Sequence, residues 1–188
     1  MISLHGQRGM GMVEVMVALL LLAIGVLGFA ALQLRAVDAT SEAINRMQAT
    51  NLAVDLAERI RANQSGLSKN IVVKDSEGND TAEKTSAYIQ AFAGKDTLSS
   101  YTWQSCYKSS KCSTAELAAQ DVNQVLYKAS LIGMKMAMVA CPGTMRRERA
   151  CIYVAWGHTT PRDGNSPNTC TYFGTYKADS RCVIMETY

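Results

Sequence analysis

Proline is scarce in this chain of 188 residues, with three copies beside 13 glycines, which excludes collagen-like repeats and proline-rich extended architectures. Histidine occurs twice and aromatic residues make up only 7%. The sequence holds no Gly-x-Ser-x-Gly elbow, no phosphate-binding glycine loop and no His-Glu-x-x-His pair. Its carboxylates are scattered rather than paired in apolar settings, so no constellation for acid–base or nucleophilic catalysis stands out, and no cofactor is called for. Cysteine is missing from the whole N-terminal half. A net charge of +3, with 48% hydrophobic and 19% charged residues, argues against wholesale disorder. Those averages conceal an uneven distribution.

From Val15 to Leu32 no residue carries a charge or a hydrogen-bonding side chain. As a helix this run rises roughly 27 Å, close to the ~30 Å hydrocarbon core of a bilayer. Leu, Ile, Val and Phe dominate it, each contributing about −0.3 to −0.6 kcal/mol on insertion scales. A cleaved secretory signal would need a small-residue cleavage site after the apolar stretch. Here the run passes into Gln33-Leu34-Arg35 and onward into polar helix. The loop-charge rule leaves orientation open, because Arg8 is offset by Arg35 and Arg46.

Glu14 stands at the mouth of the apolar run, where an ionised carboxylate is costly and functional by default. The plainer alternative is a headgroup-boundary residue. Gly9 precedes Met10, and Glu14 lies four positions beyond Met10, about one helical turn. Taken together, Gln7-Arg8-Gly9, Met10-Gly11-Met12-Val13-Glu14 and Val15-Met16-Val17-Ala18-Leu19 resemble the class III leader of type IV pilins and related pseudopilins. The resemblance implies cleavage by a prepilin peptidase between Gly9 and Met10, N-methylation of Met10, and a role for Glu14 in docking subunits during assembly. Cleavage would create an α-amine of reference pKa about 7.7–8.0, a cationic mate for the Glu14 carboxylate within one subunit or between neighbours.

Beyond Leu34 the helix is expected to continue to about Arg61, since Ala49, Ala53, Leu56, Ala57 and Ile60 recur at three- and four-residue steps. Asn63-Gln64-Ser65-Gly66 reads as its stop. Pilins often carry a proline in the membrane half; this chain has none there, which leaves Gly25 and Gly28 as the candidate flexible point. The domain division is therefore a leader over 1–9, a helix over 10–62 that spans the membrane to about 34, and a globular part over 63–188.

In the globular part, Lys74 to Ser86 is polar and reads as a loop. Ser113-x-x-Glu116 is a capping-box signature, followed by helical spacing of Ala118, Val122, Val125, Leu126 and Ala129, which predicts a helix over 114–131. Strands are expected at Met136–Cys141, Cys151–Trp156 and Cys182–Met185, with a short fourth over Tyr172–Tyr176. The methionines Met134, Met136 and Met138 read as core and strand residues. The expected class is α+β and pilin-like: a long N-terminal helix, membrane-spanning then amphipathic, packed on a small domain with a second helix and an antiparallel sheet of about three to four strands.

Cys106, Cys112, Cys141, Cys151, Cys170 and Cys182 all lie in this globular part, and their even number reads as a disulfide framework in an oxidising compartment. Zinc would require closer ligand pairs and more histidine than His158 alone. Many connectivities are open; sequential pairing would clip three local loops, its middle pair suiting a hairpin. Disulfides place the globular part outside the cytoplasm, with the N-terminus inside and a single pass through the inner membrane. Arg146, Arg147 and Arg149 form a charge cluster between Cys141 and Cys151. It is either a solvated turn or a contact for an anionic partner, nucleic acid included. Asn63-Gln64-Ser65 and Asn79-Asp80-Thr81 match the glycosylation acceptor.

The Glu14–Leu20 run and the segment from Cys112 to Asp121 resemble PilV-type minor pilins. That resemblance implies a subunit that joins other minor pilins, and the major pilin, to initiate type IV pilus assembly and surface motility. Two alternatives stand beside it: a minor pseudopilin of type II secretion, and a membrane-anchored periplasmic binding protein or enzyme that keeps its anchor.

Overall fold

The N-terminal run needs no tertiary partner to become helical, since every backbone group inside a helix is satisfied within the segment. In a computed structural model of the chain, which describes residues 11–68, 71–74, 80–83, 86–101, 106, 112–142 and 149–187, that run opens a single helix, α1 (Met12–Ala62), of 51 residues. It runs as helix through Gly25 and Gly28, where an added Cβ would meet nothing within 4 Å. The chain divides within α1 into two compact units, 1–44 and 45–188, later than the membrane limit read from hydropathy and earlier than the helix end.

In the second unit α1 buries Ala49, Leu52, Ala53, Leu56, Ala57 and Ile60, the stripe that three- and four-residue spacing demands. α1 ends at Ala62, where the Asn63-Gln64-Ser65-Gly66 stop stands, and after a turn at Asn63 the short α2 (Gln64–Ser68) follows at once. Asn63 is buried and donates from Nδ2 to the Thr114 carbonyl oxygen at 2.8 Å. A Cβ on Gly66 would lie 2.8 Å from that nitrogen, so glycine is what lets the corner close. Its burial also removes Asn63 from the accessible glycosylation sites; Asn79 lies outside the described residues.

The segment read as a loop contains half of a hairpin. β1 (Ile71–Lys74) pairs antiparallel with β2 (Asp80–Glu83), from Ile71 opposite Glu83 to Lys74 opposite Asp80. A two-stranded ribbon is held by its backbone ladder and needs no apolar alternation, so hydropathy does not reveal it. Next comes α3 (Ala87–Phe92), which periodicity also misses because it is less than two turns long; Ser86 caps it by accepting from the Tyr88 N–H at 3.2 Å.

The second long helix, α4 (Thr114–Leu131), begins and ends where its sequence signals stand. Ser113 Oγ accepts from the Glu116 N–H at 3.3 Å, and Glu116 Oε2 accepts from the Ser113 N–H at 2.7 Å. Ser113→Ala should cost about 1 kcal/mol, read as a melting midpoint lowered by roughly 2–4 °C in thermal unfolding. No change would mean that packing alone fixes this helix start.

β3 (Met134–Ala140), β4 (Ala150–Trp156) and β8 (Cys182–Thr187) form an antiparallel sheet in the order β3–β4–β8. β3 starts two residues before the expected strand, and β8 runs two residues past it, because the ladder to β4 continues there. β4 is buried on both faces, which explains its unbroken apolar sequence. Ile152 and Val154 pack with Met134, Met136, Met138 and the helices; Tyr153 and Ala155 pack with four cysteines on the other side.

A second sheet accounts for the departure from a purely antiparallel expectation. β5 (Thr160–Asp163) lies parallel to β6 (Thr169–Tyr172), and β7 (Thr175–Tyr176) returns antiparallel to β6. The stretch Tyr172–Tyr176, expected as one strand, thus holds the end of β6, a two-residue turn and the short β7. Phe173 (φ 49°) and Gly174 (φ 76°) reverse the chain in the left-handed region, the backbone twist that two-residue hairpins require.

Candidate functional site

Glu14 sits in the first turn of α1, where Gly11 caps the helix through its carbonyl oxygen, 3.0 Å from the Glu14 N–H and 3.3 Å from the Val15 N–H. A carboxylate there is stabilised by the positive end of the helix dipole. Glu14 is the only charged residue between Met12 and Leu34. Its apolar neighbours are bare: from Val15 at 41% exposed to Met12 at 80%, no large hydrophobic residue of this stretch is covered by the chain itself. The helix is long and apolar enough to cross a membrane. A continuous exposed apolar rod of this kind demands lipid or protein around it. Gly9 and Met10, the expected cleavage and methylation positions, lie outside the described residues.

The six cysteines bond as Cys106–Cys112, Cys141–Cys151 and Cys170–Cys182. The middle bridge is diagonal rather than directly across: Cys151 stands opposite Val139, while the Cys141 N–H donates to the Arg149 carbonyl oxygen. Cys170–Cys182 ties β6 to β8 and so joins the two sheets. The Cys141 and Cys151 sulfurs and a Glu186 carboxylate oxygen lie within 4.8 Å of one another, a spacing that a metal could use. The two sulfurs are bonded to each other, so neither is a thiolate ligand.

Arg149, the one described member of the arginine cluster, donates from Nη1 to Glu186 Oε2 at 2.6 Å, and both side chains stay partly exposed. Arg146 and Arg147 lie outside the described residues. His158 is exposed on the turn after β4.

Sequence reasoning missed a polar cluster between α1, α3 and α4. Arg59 donates from Nε to Asp55 Oδ1 at 2.8 Å, and from Nη1 to Asp121 Oδ1 at 3.0 Å and Gln124 Oε1 at 2.6 Å. Lys128 Nζ reaches Asp55 Oδ2 at 2.8 Å, and the buried Tyr88 hydroxyl donates to Asp121 Oδ2 at 3.0 Å. Burial pushes the Asp55 carboxyl up, but its hydrogen bonds with Lys128 and Arg59 outweigh that and hold it below its ordinary value. Burial, with the Asp121 charge beside it, pushes the Tyr88 phenol well up. Each of the four carboxylate oxygens already accepts a bond, so the cluster is a clamp between helices and offers no free acid or base. The signal was faint: Asp121 is an acid on the otherwise apolar side of α4, one turn from Val125.

With this geometry in view, the comparisons are specific at the N-terminus. A family model described as a prokaryotic N-terminal methylation motif matches residues 4–30, and one described as type IV pilin Tt1218 matches residues 31–84. Over residues 4–84 the chain is thus similar to type IV pilins. Residues 85–188 lie outside both matches, and no curated protein or solved structure matches the chain. The methylation motif implies processing by a prepilin peptidase, and with the bare apolar helix it points to membrane anchoring and pilus incorporation. The type IV pilin family is one of structural subunits.

Proposed function

We propose that this pilin is a minor subunit of a type IV pilus that helps to start fibre assembly and supports surface motility. Loss of residues 1–9 would leave Met10 as a methylated, cationic N-terminus, about one helical turn from Glu14. The observation that carries the reading is the bare apolar half of α1 with a single acid in its first turn. In the inner membrane an uncompensated carboxylate costs about 2.5–3.5 kcal/mol at the bilayer centre. A bundle of sister helices offers the same apolar environment plus a counter-charge, so Glu14 favours the bundle. In this reading the disulfide-bonded globular part is periplasmic, which matches its three bridges. The Glu14–Leu20 and Cys112–Asp121 resemblances support the minor-pilin assignment, with other minor pilins, the major pilin and the prepilin peptidase as partners.

N-terminal sequencing and intact mass of the membrane-extracted protein test this directly. The expected start is methylated Met10, and Gly9→Val should retain residues 1–9. Glu14→Ala should be cleaved normally but depleted from sheared fibres by roughly tenfold, the equivalent of about 1.4 kcal/mol. A start at Met1 in the native protein supports a simple anchor instead. Normal incorporation of Glu14→Ala removes Glu14 from docking.

A further inference from the structure

A polar cleft of about 480 Å³ lies between the globular half of α1 and the connection from β7 to β8. Arg46 and Thr50 line it from α1, and Tyr176, Lys177, Ser180 and Cys182 from the other side; no acid is among its lining residues. Pockets for small ligands hold roughly 300–1,000 Å³. The β7–β8 side is held in place, since the Ser180 N–H donates to the Lys177 carbonyl oxygen at 3.1 Å and Cys182 is bridged to Cys170 of β6. Arg59, Arg61, Lys128 and Arg149 each face a carboxylate. Arg46 differs from them: among the described residues its guanidinium has neither an ion pair nor a hydrogen bond.

The other polar groups sort by what they have left to give. Lys177 Nζ donates to Thr169 Oγ1 at 2.7 Å and to the Ser166 carbonyl oxygen, so its charge is pinned nearby with two of three protons spent. Thr50 Oγ1 donates to the Arg46 carbonyl oxygen at 2.9 Å, and Ser180 Oγ to the Lys177 carbonyl oxygen at 2.8 Å. Their protons are committed, which leaves two oxygens able only to accept. Tyr176 is the reverse: its oxygen accepts from the Ile184 N–H at 3.1 Å, and its proton stays free. The cleft thus offers a guanidinium fork and a phenolic donor to an anion, and two acceptors to hydroxyl groups on the same ligand.

We propose that the cleft binds the phosphate ester of a small polyol, with glycerol phosphate as the simplest case. Arg46 takes two phosphate oxygens, the Tyr176 hydroxyl donates to a third, and Thr50 and Ser180 accept from the polyol. A carboxylate suits this set less well, because bidentate pairing with Arg46 commits both its oxygens. Inorganic phosphate leaves the two acceptors unused, and an apolar ligand leaves the guanidinium unpaired. The same ester exists free and as the headgroup of a glycerophospholipid. Nothing in this assignment depends on Glu14 or on fibre assembly.

The test titrates the isotope-labelled full chain, in a non-ionic detergent at low salt and near neutral pH, with glycerol phosphate, inorganic phosphate and glycerol. Amide NMR shifts at Thr50, Ala178 and Ser180 should saturate with glycerol phosphate, at a Kd roughly tenfold below that of inorganic phosphate, and glycerol alone should move nothing. Arg46→Gln should raise that Kd at least about tenfold and Tyr176→Phe about three- to tenfold. Both side chains are exposed, so each variant should melt within about 2 °C of wild type. Nanodiscs of phosphatidylcholine, with and without phosphatidylglycerol, separate the two sources. Shifts that need phosphatidylglycerol and are competed by free glycerol phosphate support a headgroup ligand; shifts with the free ester alone support a soluble one. Equal Kd values for glycerol phosphate and inorganic phosphate overturn the polyol ester. Absence of a saturable shift, or an Arg46→Gln protein that binds like wild type, overturns the site.

Discussion

Reducing all three disulfides should abolish the cooperative unfolding of the globular part near neutral pH. The bridges join residues 6, 10 and 12 positions apart. In the chain-entropy account loops of that size contribute about 2.4 to 2.9 kcal/mol each, roughly 8 kcal/mol together. That is comparable with the whole stability of a typical domain, about 5–15 kcal/mol. The three are unequal in consequence. Cys170 and Cys182 are buried and join the two sheets, whereas Cys106 is partly exposed and clips a local loop. Cys170→Ser with Cys182→Ser should therefore lower the melting midpoint by roughly 6–12 °C, and the Cys106/Cys112 double variant by less. Circular dichroism of the detergent-solubilised protein, with and without a phosphine reductant, reads this out. A midpoint that moves by less than about 5 °C on full reduction would show that helix and sheet packing suffices without the bridges.

What the sequence disclosed of this fold tracks how local the causes are. The α1 stripe, the Ser113–Glu116 box and the apolar strand at 150–156 each carry their explanation within a few turns or one ladder, so periodicity found them. β1 and β2 escaped because their bond network is purely backbone, and α3 because it is under two turns long. The parallel pairing of β5 with β6 turns on the short connection over 164–168 and an irregular register, which hydropathy does not encode. At the N-terminus the long apolar helix and the methylation motif were legible, because an exposed apolar rod with one acid is a statement about solvent rather than about tertiary packing. The Phe173–Gly174 turn was invisible for the opposite reason: its conformation is held by Asp163, eleven positions from Gly174, and by Pro142 from another strand end. The helix clamp was hidden likewise, since Arg59 and Asp121 read as ordinary helix-surface charges until α1 and α4 are laid together.

That clamp carries the second large expected effect. Asp121 is 4% exposed and holds Arg59 from α1 and Tyr88 from α3 at once. Asp121→Ala strips a buried hydrogen-bonding partner from both, which should cost about 3 kcal/mol, a fall in melting midpoint of roughly 6–12 °C. Asp121→Asn keeps an acceptor for the Tyr88 hydroxyl but loses the charge facing Arg59, so its loss should be intermediate. Lys128→Ala, at a side chain more than half exposed, should lie within about 1 kcal/mol of wild type. Acid probes the same clamp through Asp55. Its folded-state pKa lies below the ordinary 3.8, so the stability it contributes is present above that pH and drains away as pH falls beneath it. Melting midpoints measured from pH 5 downward should therefore hold steady and then drop below about pH 4. Asp55→Asn should flatten that drop while lowering the plateau. A variant series in which Asp121→Ala melts like wild type would show that the apolar stripe alone joins α1 to α4. The charges would then be dispensable, as some buried ion pairs are when apolar packing can replace them.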